Sequence, residues 1–304
     1  MSRPSVTRTL ALGAALGLAL AAGSAQAELY YLIVGGLGGE PVYAESFAES
    51  TAAMAQAARR TLGDDARITV LSGESATREA LREALADLAE RTVATDRLAV
   101  FLVGHGSYDG TDYKFNLTGP DIDGAEFAAL LSLVPAQNQL IVNTSSASGA
   151  ILDLLEADGR AVVTATRSGR ERNATRFAEH WADALSSDEA DVNKNGSISA
   201  QEAYDYASRM TAESFEAEGG LATEHSELRG DTAAAFEVAR LRERIAATPA
   251  LDSLNRRLAE LEEEVAALRL RREELGDDYL PQLQALLIEL ATVQEQIDAA
   301  TPGN

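Results

Sequence analysis

Short apolar runs alternate with amphipathic segments along most of the chain. The apolar runs centre on residues 29–34, 67–71, 97–103, 139–143 and 160–166, and several end in a loop of glycine, serine or threonine. Such runs, rich in Val, Ile and Leu, are typical of strands buried on both faces. The stretches 45–62 and 77–91 between them have the apolar spacing of helices. This alternation predicts an α/β fold, with a mainly parallel sheet and helices on both of its faces.

Local polar signals mark where some of these helices begin. Thr77 precedes an amphipathic stripe as an N-cap, and Asp123 is followed three residues later by Glu126, the spacing of a capping box. We therefore interpret these two carboxylates as a helix start rather than as a catalytic or metal site. The glycine-rich segment 35–39 lacks the Gly-x-Gly-x-x-Gly spacing, so it predicts a strand-to-helix turn rather than a nucleotide site.

From residue 233 onward the pattern changes to a helical tail, residues 233–304. Two runs of apolar residues recur at alternating steps of three and four, and Gly276-Asp277-Asp278 separates them. The first run contains Leu251, Leu254, Leu258, Leu261, Val265 and Leu268, and the second contains Leu283, Leu286, Leu290, Val293 and Ile297. They predict an antiparallel hairpin of the coiled-coil type. The sequence leaves open whether this tail packs on the sheet domain, self-associates or binds a partner.

Residues 1–27 have the composition of a signal peptide. Arg3 and Arg8 precede an apolar stretch from Leu10 to Ala22, and Ala25-Gln26-Ala27 forms a small-residue cleavage site. The apolar stretch is too short to span a bilayer, which takes about 20 residues. We therefore expect an exported protein, periplasmic or secreted, with no transmembrane segment after cleavage. The chain then divides into this leader, an α/β domain over 28–232 and the helical tail.

The composition narrows the choice of partners and of chemistry. The 304 residues have a formal net charge of -22, and the leader contributes arginines but no acid, so the exported form is more acidic still. A strongly negative chain is disfavoured from binding nucleic acid or anionic membrane. The chain contains no cysteine. Neither a disulfide nor a thiol nucleophile is therefore available to it.

Two strand ends contain the candidate chemistry. The run from Arg97 turns polar at Gly104-His105-Gly106-Ser107, and the run ending at Asn143 continues as Thr144-Ser145-Ser146-Ala147-Ser148-Gly149. In a parallel sheet both loops emerge past the carboxyl ends of their strands, where α/β proteins place ligands. An imidazole opposite a small hydroxyl at such an edge is half of a nucleophilic site.

These two segments resemble the motifs of the legumain/caspase clan of cysteine peptidases. His105-Gly106 is similar to the clan's His-Gly dipeptide, and Ser145-Ser146-Ala147-Ser148-Gly149 is similar in spacing to its Ala-Cys-x-Ser-Gly segment. The resemblance spans about residues 29–231 and is nearest to bacterial, exported, legumain-like members. It implies a caspase-type strand order, His105 as general base, and backbone N–H groups of Gly106 and Ser146 as an oxyanion hole. Ser146 stands where the nucleophilic cysteine is implied.

The serine at that position leaves three functions open. A cysteine thiolate is accessible near neutral pH, whereas a serine hydroxyl must pass its proton to a base held by an orienting carboxylate. We therefore interpret the domain first as a degenerate peptidase, a pseudoenzyme that binds a peptide or protein. The alternative is an active hydrolase that uses Ser146 with His105 as base, and the sequence leaves the enzyme question open. A third reading is a calcium-binding structural protein.

A loop of arginines follows the strand over residues 160–166. Arg167, Arg170 and Arg172 would lie at the same sheet edge as His105 and Ser146. Guanidinium groups meet carboxylates with two hydrogen bonds, and caspase-type sites use arginines to select acidic side chains, so the three are candidate substrate-binding residues. The other interpretation is that they are solvated or paired with a local acid such as Glu171.

Residues 191–202 match the calcium loop of an EF-hand. Asp191, Asn193 and Asn195 occupy positions 1, 3 and 5, Ser197 supplies a carbonyl at position 7, and Glu202 is the bidentate ligand at position 12. Only two of these ligands are charged, and no second EF-hand follows. The spacing predicts one weak calcium site, in the range of about 10⁻⁴ to 10⁻³ M that extracellular modules have.

Overall fold

The computed structural model describes residues 27–242, 249–270 and 272–300, so the predicted leader lies outside the described residues except for Ala27. The described strands are β1 (Leu29–Gly35), β2 (Ile68–Ser72), β3 (Arg97–Val103), β4 (Gly106–Tyr108), β5 (Tyr113–Phe115), β6 (Ile122–Asp123), β7 (Asn138–Asn143), β8 (Arg160–Thr164), β9 (Ser197–Ser199), β10 (Glu227–Arg229) and β11 (Glu237–Arg240). The described α-helices are α1 (Pro41–Leu62), α2 (Arg78–Arg91), α3 (Gly124–Leu131), α4 (Leu152–Leu155), α5 (Phe177–Ala184), α6 (Ala200–Ala217), α7 (Pro249–Leu270), α8 (Arg272–Leu275) and α9 (Tyr279–Ala300).

The main sheet has six strands in the order β10-β8-β7-β3-β1-β2. The pairs β1–β2, β1–β3, β3–β7 and β7–β8 are parallel, and β10 joins the edge in the antiparallel sense. The carboxyl ends of β3 and β7 therefore lie side by side, with Leu102 opposite Asn143. The predicted mainly parallel α/β fold is confirmed.

Alternate side chains of the strands serve two cores, one on each face of the sheet. Tyr31, Ile33 and Phe101 face a core with α1, α5 and α6, in which Met54, Phe177 and Trp181 are fully buried. The residues between them, such as Leu32 and Val100, face the other core with α2, α3 and α4, which contribute Leu81, Phe127 and Leu152. Each fully buried side chain of this size stabilises the fold by about 1.5–3 kcal/mol.

The helix boundaries follow from the capping residues in the sequence. The Thr77 hydroxyl accepts a hydrogen bond from the Ala80 amide at 3.1 Å, and the Asp123 carboxylate accepts one from Glu126 at 2.8 Å. Glu126 itself forms an ion pair with Arg78 on α2. Both caps therefore have the structural role that the sequence predicts.

The tail forms the predicted helical hairpin. Helices α7 and α9 pack against each other through Leu261, Val265, Leu268, Tyr279 and Val293, all of which are buried. Arg257 of α7 donates to Glu289 of α9 at 2.7 Å. Strand β11 lies between the predicted tail start at residue 233 and the first of these helices, and its Val238 and Ala239 are buried in the core with α1. Within the described ranges, no helix is long and apolar enough to cross a membrane.

Candidate functional site

His105 lies in the loop that leaves the carboxyl end of β3. Its imidazole packs edge-on against two rings of α1, those of Tyr43 and Phe47, at centroid distances of 4.8 and 4.9 Å. Its carbonyl oxygen accepts a hydrogen bond from the Asn116 amide. The ring therefore packs against helix α1, and the His105 backbone is joined to the segment just after β5.

The surroundings of His105 favour its neutral form. Burial lowers its pKa, and a hydrogen bond with the Gly38 backbone and the charge of Glu40 oppose that shift. Gly38 belongs to the glycine-rich loop after β1, where a Cβ atom would collide with the backbone of Ala44. The sequence predicts only a turn there and misses its contact with His105. No local pattern signals that contact, because it depends on the pairing of β1 with β3.

Asp109 and Asp112 follow His105 closely in the chain, but the structure gives Asp109 another role. Its carboxylate accepts hydrogen bonds from the amides of Thr111 and Asp112 at 2.8 and 2.9 Å, which close the turn between β4 and β5. These bonds lower the pKa of Asp109. Among the described residues, no carboxylate hydrogen bonds to the His105 ring.

Ser146 lies in the loop that leaves β7, and it is only 3% exposed. The next residue, Ala147, is in the left-handed region with φ of 55°, which is uncommon for a residue with a side chain. Its amide donates to the Glu171 carbonyl at 2.7 Å. The Thr144 amide donates to Leu102 of the neighbouring strand. Contacts on both sides of Ser146 thus fix the path of this loop.

A buried polar network lies beneath Ser146. The Asn143 side-chain amide donates to the Tyr113 hydroxyl at 2.8 Å, and Tyr113 and Ser145 share a hydrogen bond of 2.6 Å. The Ser145 hydroxyl in turn donates to the Ser146 carbonyl at 3.2 Å. Burial raises the pKa of Tyr113 to about 12, so its hydroxyl keeps its proton. The network positions the backbone of Ser146, and the sequence gives no signal for Tyr113.

The predicted site loops are in direct contact. A Cβ atom at Gly106 would lie 2.5 Å from the Ser146 carbonyl oxygen, and one at Gly149 would collide with the backbone of Arg167 and Ser168. The loops after β3, β7 and β8 therefore pack together at the carboxyl edge of the sheet. Among the described residues, no hydrogen bond joins the His105 ring to the Ser146 hydroxyl.

The three arginines of the loop after β8 have different partners. The Arg167 guanidinium pairs with Glu171 at 3.1 Å, and that of Arg172 donates to the Gly169 carbonyl at 3.5 Å. The Arg170 side chain is exposed, and within the described part of the chain no hydrogen bond or ion pair holds it. The pairing of Arg167 matches the interpretation that a local acid neutralises part of this loop. Among the described residues, no acid forms an ion pair with Arg170 or Arg172.

Glu171 and Glu224 fasten this arginine loop to a distant segment. Glu171 accepts from the His225 ring at 2.8 Å. Glu224 is 5% exposed and accepts from the amides of Arg176 and Phe177 at 2.8 and 3.0 Å, so it caps the start of α5. Burial raises the pKa of Glu224 to about 7, and those amide bonds oppose the shift. The sequence points to Glu171 only as a local partner of the arginines. It gives no signal for the contact of Glu171 with His225 or for Glu224, because these contacts join residues about 50 positions apart.

The residues of the predicted calcium loop converge within a short stretch of backbone. Asp191 accepts from the amides of Asn195 and Gly196 at 3.1 and 2.9 Å, and Glu202 folds back to accept from Asn193 at 3.4 Å. Gly196 has φ of 78°, which the sharp turn requires. Among the described residues, no group of three or more His, Cys, Asp or Glu side chains is placed to hold a metal. Of the predicted calcium ligands in this loop, two are carboxylates and the others are side-chain amide or backbone carbonyl oxygens.

No protein-family model matches the chain, and no curated protein matches it. Among solved structures, the chain is similar to protein GSU0716 from Geobacter sulfurreducens, with a TM-score of 0.44 and 13% identity over 72% of this chain and 96% of that one. It is also similar to the Drosophila initiator caspase Dronc, with a TM-score of 0.39 and 9% identity over 67% of this chain and 78% of that one.

Proposed function

We propose that the α/β domain is a peptidase-related domain that binds a peptide or protein at the carboxyl edge of its sheet without cleaving it. The observation that supports this is the relation of His105 to Ser146. Their loops are in contact, yet the described residues provide no hydrogen bond between the ring and the hydroxyl. The chain has no cysteine to replace that hydroxyl.

The chemistry of serine explains why this geometry disfavours hydrolysis. A serine hydroxyl attacks only while it passes its proton to a base, and efficient serine enzymes hold that base with a carboxylate. His105 has the Gly38 backbone and two aromatic rings as neighbours instead. His105 and Ser146 thus lack the arrangement that would activate the serine.

A second candidate is a hydrolase that uses Ser146, and one observation favours it. Burial lowers the pKa of His105, so the imidazole is neutral near pH 7 and can accept a proton. In proteins without ligand, catalytic hydrogen bonds are often long and tighten only around the substrate. A chemical probe of serine reactivity therefore separates the two candidate functions better than the lack of a hydrogen bond between His105 and Ser146 does.

The test uses a fluorophosphonate probe, which reacts with activated serine hydroxyls. For the binding function we expect no labelling of the purified protein above that of Ser146→Ala. Ser107→Ala is the matched control, because it removes an exposed hydroxyl from the adjoining His105 loop. Labelling that disappears in both Ser146→Ala and His105→Ala would establish the hydrolase instead.

Ser146→Cys tests whether a peptide can reach this position. We expect a peptidyl chloromethylketone to label the introduced thiol, since a thiol reacts without an orienting carboxylate when it is partly ionised. Labelling would show that the wild-type serine is unreactive for chemical reasons rather than inaccessible. A thiol that no peptide probe reaches would contradict peptide binding at this edge.

Calcium binding at residues 191–202 belongs to the same proposal. Asp191, Asn193, Asn195, the Ser197 carbonyl and Glu202 are oxygen donors of the type that calcium prefers, and their contacts converge on one short stretch of backbone. A bound calcium ion would neutralise the two carboxylates. Isothermal titration calorimetry, with Glu202→Ala as control, tests the site directly.

Export is the final part of the proposal. It rests on the leader-like composition of residues 1–27. Expression of the full chain followed by N-terminal sequencing of the exported form tests it. We expect the mature chain to begin at Glu28, and a retained leader would contradict the prediction.

A further inference from the structure

The calcium loop is paired with a strand from a distant part of the chain. Its β9 pairs antiparallel with β11, so that Ile198 lies opposite Ala239 and Ser197 opposite Arg240. Hydrogen bonds close both ends of this pairing, from the Ala200 amide to the Phe236 carbonyl and from the Leu241 amide to the Gly196 carbonyl. The backbone at the end of the calcium loop is therefore held by β11.

Strand β11 is in turn fixed to the α/β domain by side chains of β1 and α1. The Tyr31 hydroxyl donates to the Val238 carbonyl at 2.9 Å, and the Arg240 amide donates to the Thr61 hydroxyl at 2.9 Å. Arg60 donates to the carbonyls of both Arg240 and Leu185, at 2.7 and 2.8 Å. Leu185 lies just before the calcium loop. The Arg60 guanidinium therefore connects β11 to the segment that precedes the calcium loop.

This attachment lies near the amino ends of the parallel strands, whereas His105 and Ser146 lie at their carboxyl ends. The guanidinium of Arg97, the first residue of β3, stands 5.8 Å from the ring centre of Phe236. Arg60 and Thr61 belong to the last turn of α1, which starts beyond the carboxyl end of β1 and runs back along the sheet. The described chain continues from β11 to Arg242, and the helical hairpin begins at Pro249.

We propose that the calcium loop and β11 form one coupled unit, in which calcium binding strengthens the attachment of the segment that leads into the helical hairpin. This rests on the proposed calcium site. Ser197 links the two parts, because its carbonyl is a position-7 ligand and its backbone is paired with Arg240. Glu202, at position 12, also accepts from the Ser199 amide of β9 at 2.9 Å. Any interaction that stabilises the pairing of β9 with β11 thus raises the calcium affinity. Calcium binding stabilises that pairing by the same free energy.

Hydrogen exchange measured by mass spectrometry tests the coupling in the purified protein. We expect about 10 mM calcium, compared with the same concentration of magnesium, to slow exchange in peptides covering Ser197–Ala200 and Val238–Leu241, by mass action on the paired state. Peptides that contain His105 or Ser146 should slow less, and only as far as the whole fold is stabilised. Slowing confined to residues 191–202, or equal slowing at His105 and Ser146, would overturn the proposal.

Calorimetry on matched variants tests the reverse direction. Arg60→Gln removes the side chain that holds the Arg240 carbonyl and leaves every calcium ligand in place, so we expect calcium affinity to fall about fivefold. Arg59→Gln, next to it, removes an exposed pair with Asp65 and should leave the affinity unchanged. Equal affinities of Arg60→Gln and wild type contradict the coupling alone. An absence of calcium binding to the wild type contradicts the calcium site itself.

Discussion

The Gly106 α-carbon lies so close to Ser146 that a Cβ atom at residue 106 would stand 2.5 Å from the Ser146 carbonyl oxygen. The same atom would stand 2.5 Å from the Ser145 hydroxyl and 2.9 Å from the Tyr113 ring. Gly106 is therefore required by the contact between the two site loops. Because Gly106 directly follows His105, this contact also places His105 at the carboxyl edge of the sheet, where Ser146 lies.

Gly106→Ala should consequently destabilise the domain. The added methyl group overpacks a backbone contact, and we expect the free energy of unfolding to fall by about 1–3 kcal/mol. Denaturation in urea measures this. Gly220→Ala is the control, because the nearest atom to its Cβ position is 3.8 Å away, and it should stay within about 0.5 kcal/mol of wild type. Equal stabilities of the two variants would refute the loop contact.

Tyr113→Phe should be destabilising for a different reason. It removes a buried hydroxyl and leaves the Asn143 side-chain amide without its acceptor, which costs about 1–3 kcal/mol. Tyr108→Phe removes a solvent-exposed hydroxyl bonded to the Gly110 carbonyl and should cost much less. Urea denaturation of both variants provides the comparison. A Tyr113→Phe protein as stable as Tyr108→Phe would show that the network contributes nothing.

Glu224 should make the stability depend on pH. Its pKa is about 7 in the folded protein against 4.5 for an ordinary glutamate. Between these values the folded state holds a proton that the unfolded state has lost, so stability falls as pH rises from about 4.5 to about 7, by about 3 kcal/mol in all. Neighbouring Arg176 and Glu171 influence the same carboxyl in opposite directions.

Glu224→Gln should flatten that part of the profile, because the amide does not titrate. Urea denaturation at several pH values between 4.5 and 8 measures the difference from wild type. Glu218→Gln removes an exposed acid that pairs with Arg176 and should leave the profile in this window unchanged. A wild-type slope that persists in Glu224→Gln would assign the pH dependence to other groups.

Calcium should raise the melting temperature of the purified protein. An ion that binds only the folded state at a dissociation constant of about 10⁻⁴ to 10⁻³ M stabilises it by about 1–3 kcal/mol at about 10 mM. Differential scanning calorimetry with calcium and with chelator measures the gain. It should vanish in Glu202→Ala and persist in Glu213→Ala, an exposed acid of the same helix. Identical melting curves for the wild type in both conditions would exclude the site.

The arginine loop should give the domain a preference for acidic peptides. Arg170 and Arg172 are exposed, and Glu171 already holds Arg167. We expect peptides with Asp or Glu to be enriched in a binding array, and the enrichment to be lost in the triple Arg167→Ala, Arg170→Ala, Arg172→Ala variant. Arg209→Ala, an exposed arginine of α6, should retain it. The preference is disproved by an array without acidic enrichment, or by one that the triple variant leaves unchanged.

The strands, helices and caps were predictable because they depend on near neighbours. The apolar run before Gly104 must be buried on both faces, and the three-residue spacing from Thr77 to Ala80 suffices to cap a helix. The repeat with Leu261 and Val265 likewise predicts the hairpin, and its buried seam confirms it. These predictions needed only hydrophobic periodicity and local hydrogen bonding.

The candidate site was predictable in part. That the loops of His105 and Ser146 share one edge follows from the parallel order of their strands. The residues around them do not follow from it, since Tyr113 reaches Ser145 across 32 positions and Glu224 reaches Phe177 across 47. The catalytic, substrate-binding and metal roles of the predicted residues stay predictions.

The residues alone specify the α/β alternation, the helical hairpin, the two strand-end motifs and the spacing of the calcium loop. Each of these depends on residues within one or two turns or strands of one another. Long-range packing specifies which groups surround His105 and which acid caps α5. It also pairs β11 with the calcium loop and brings Tyr31 to β11 across 207 positions. Such contacts depend on the path of the whole chain through the packed domain, and no local pattern of residues encodes that path.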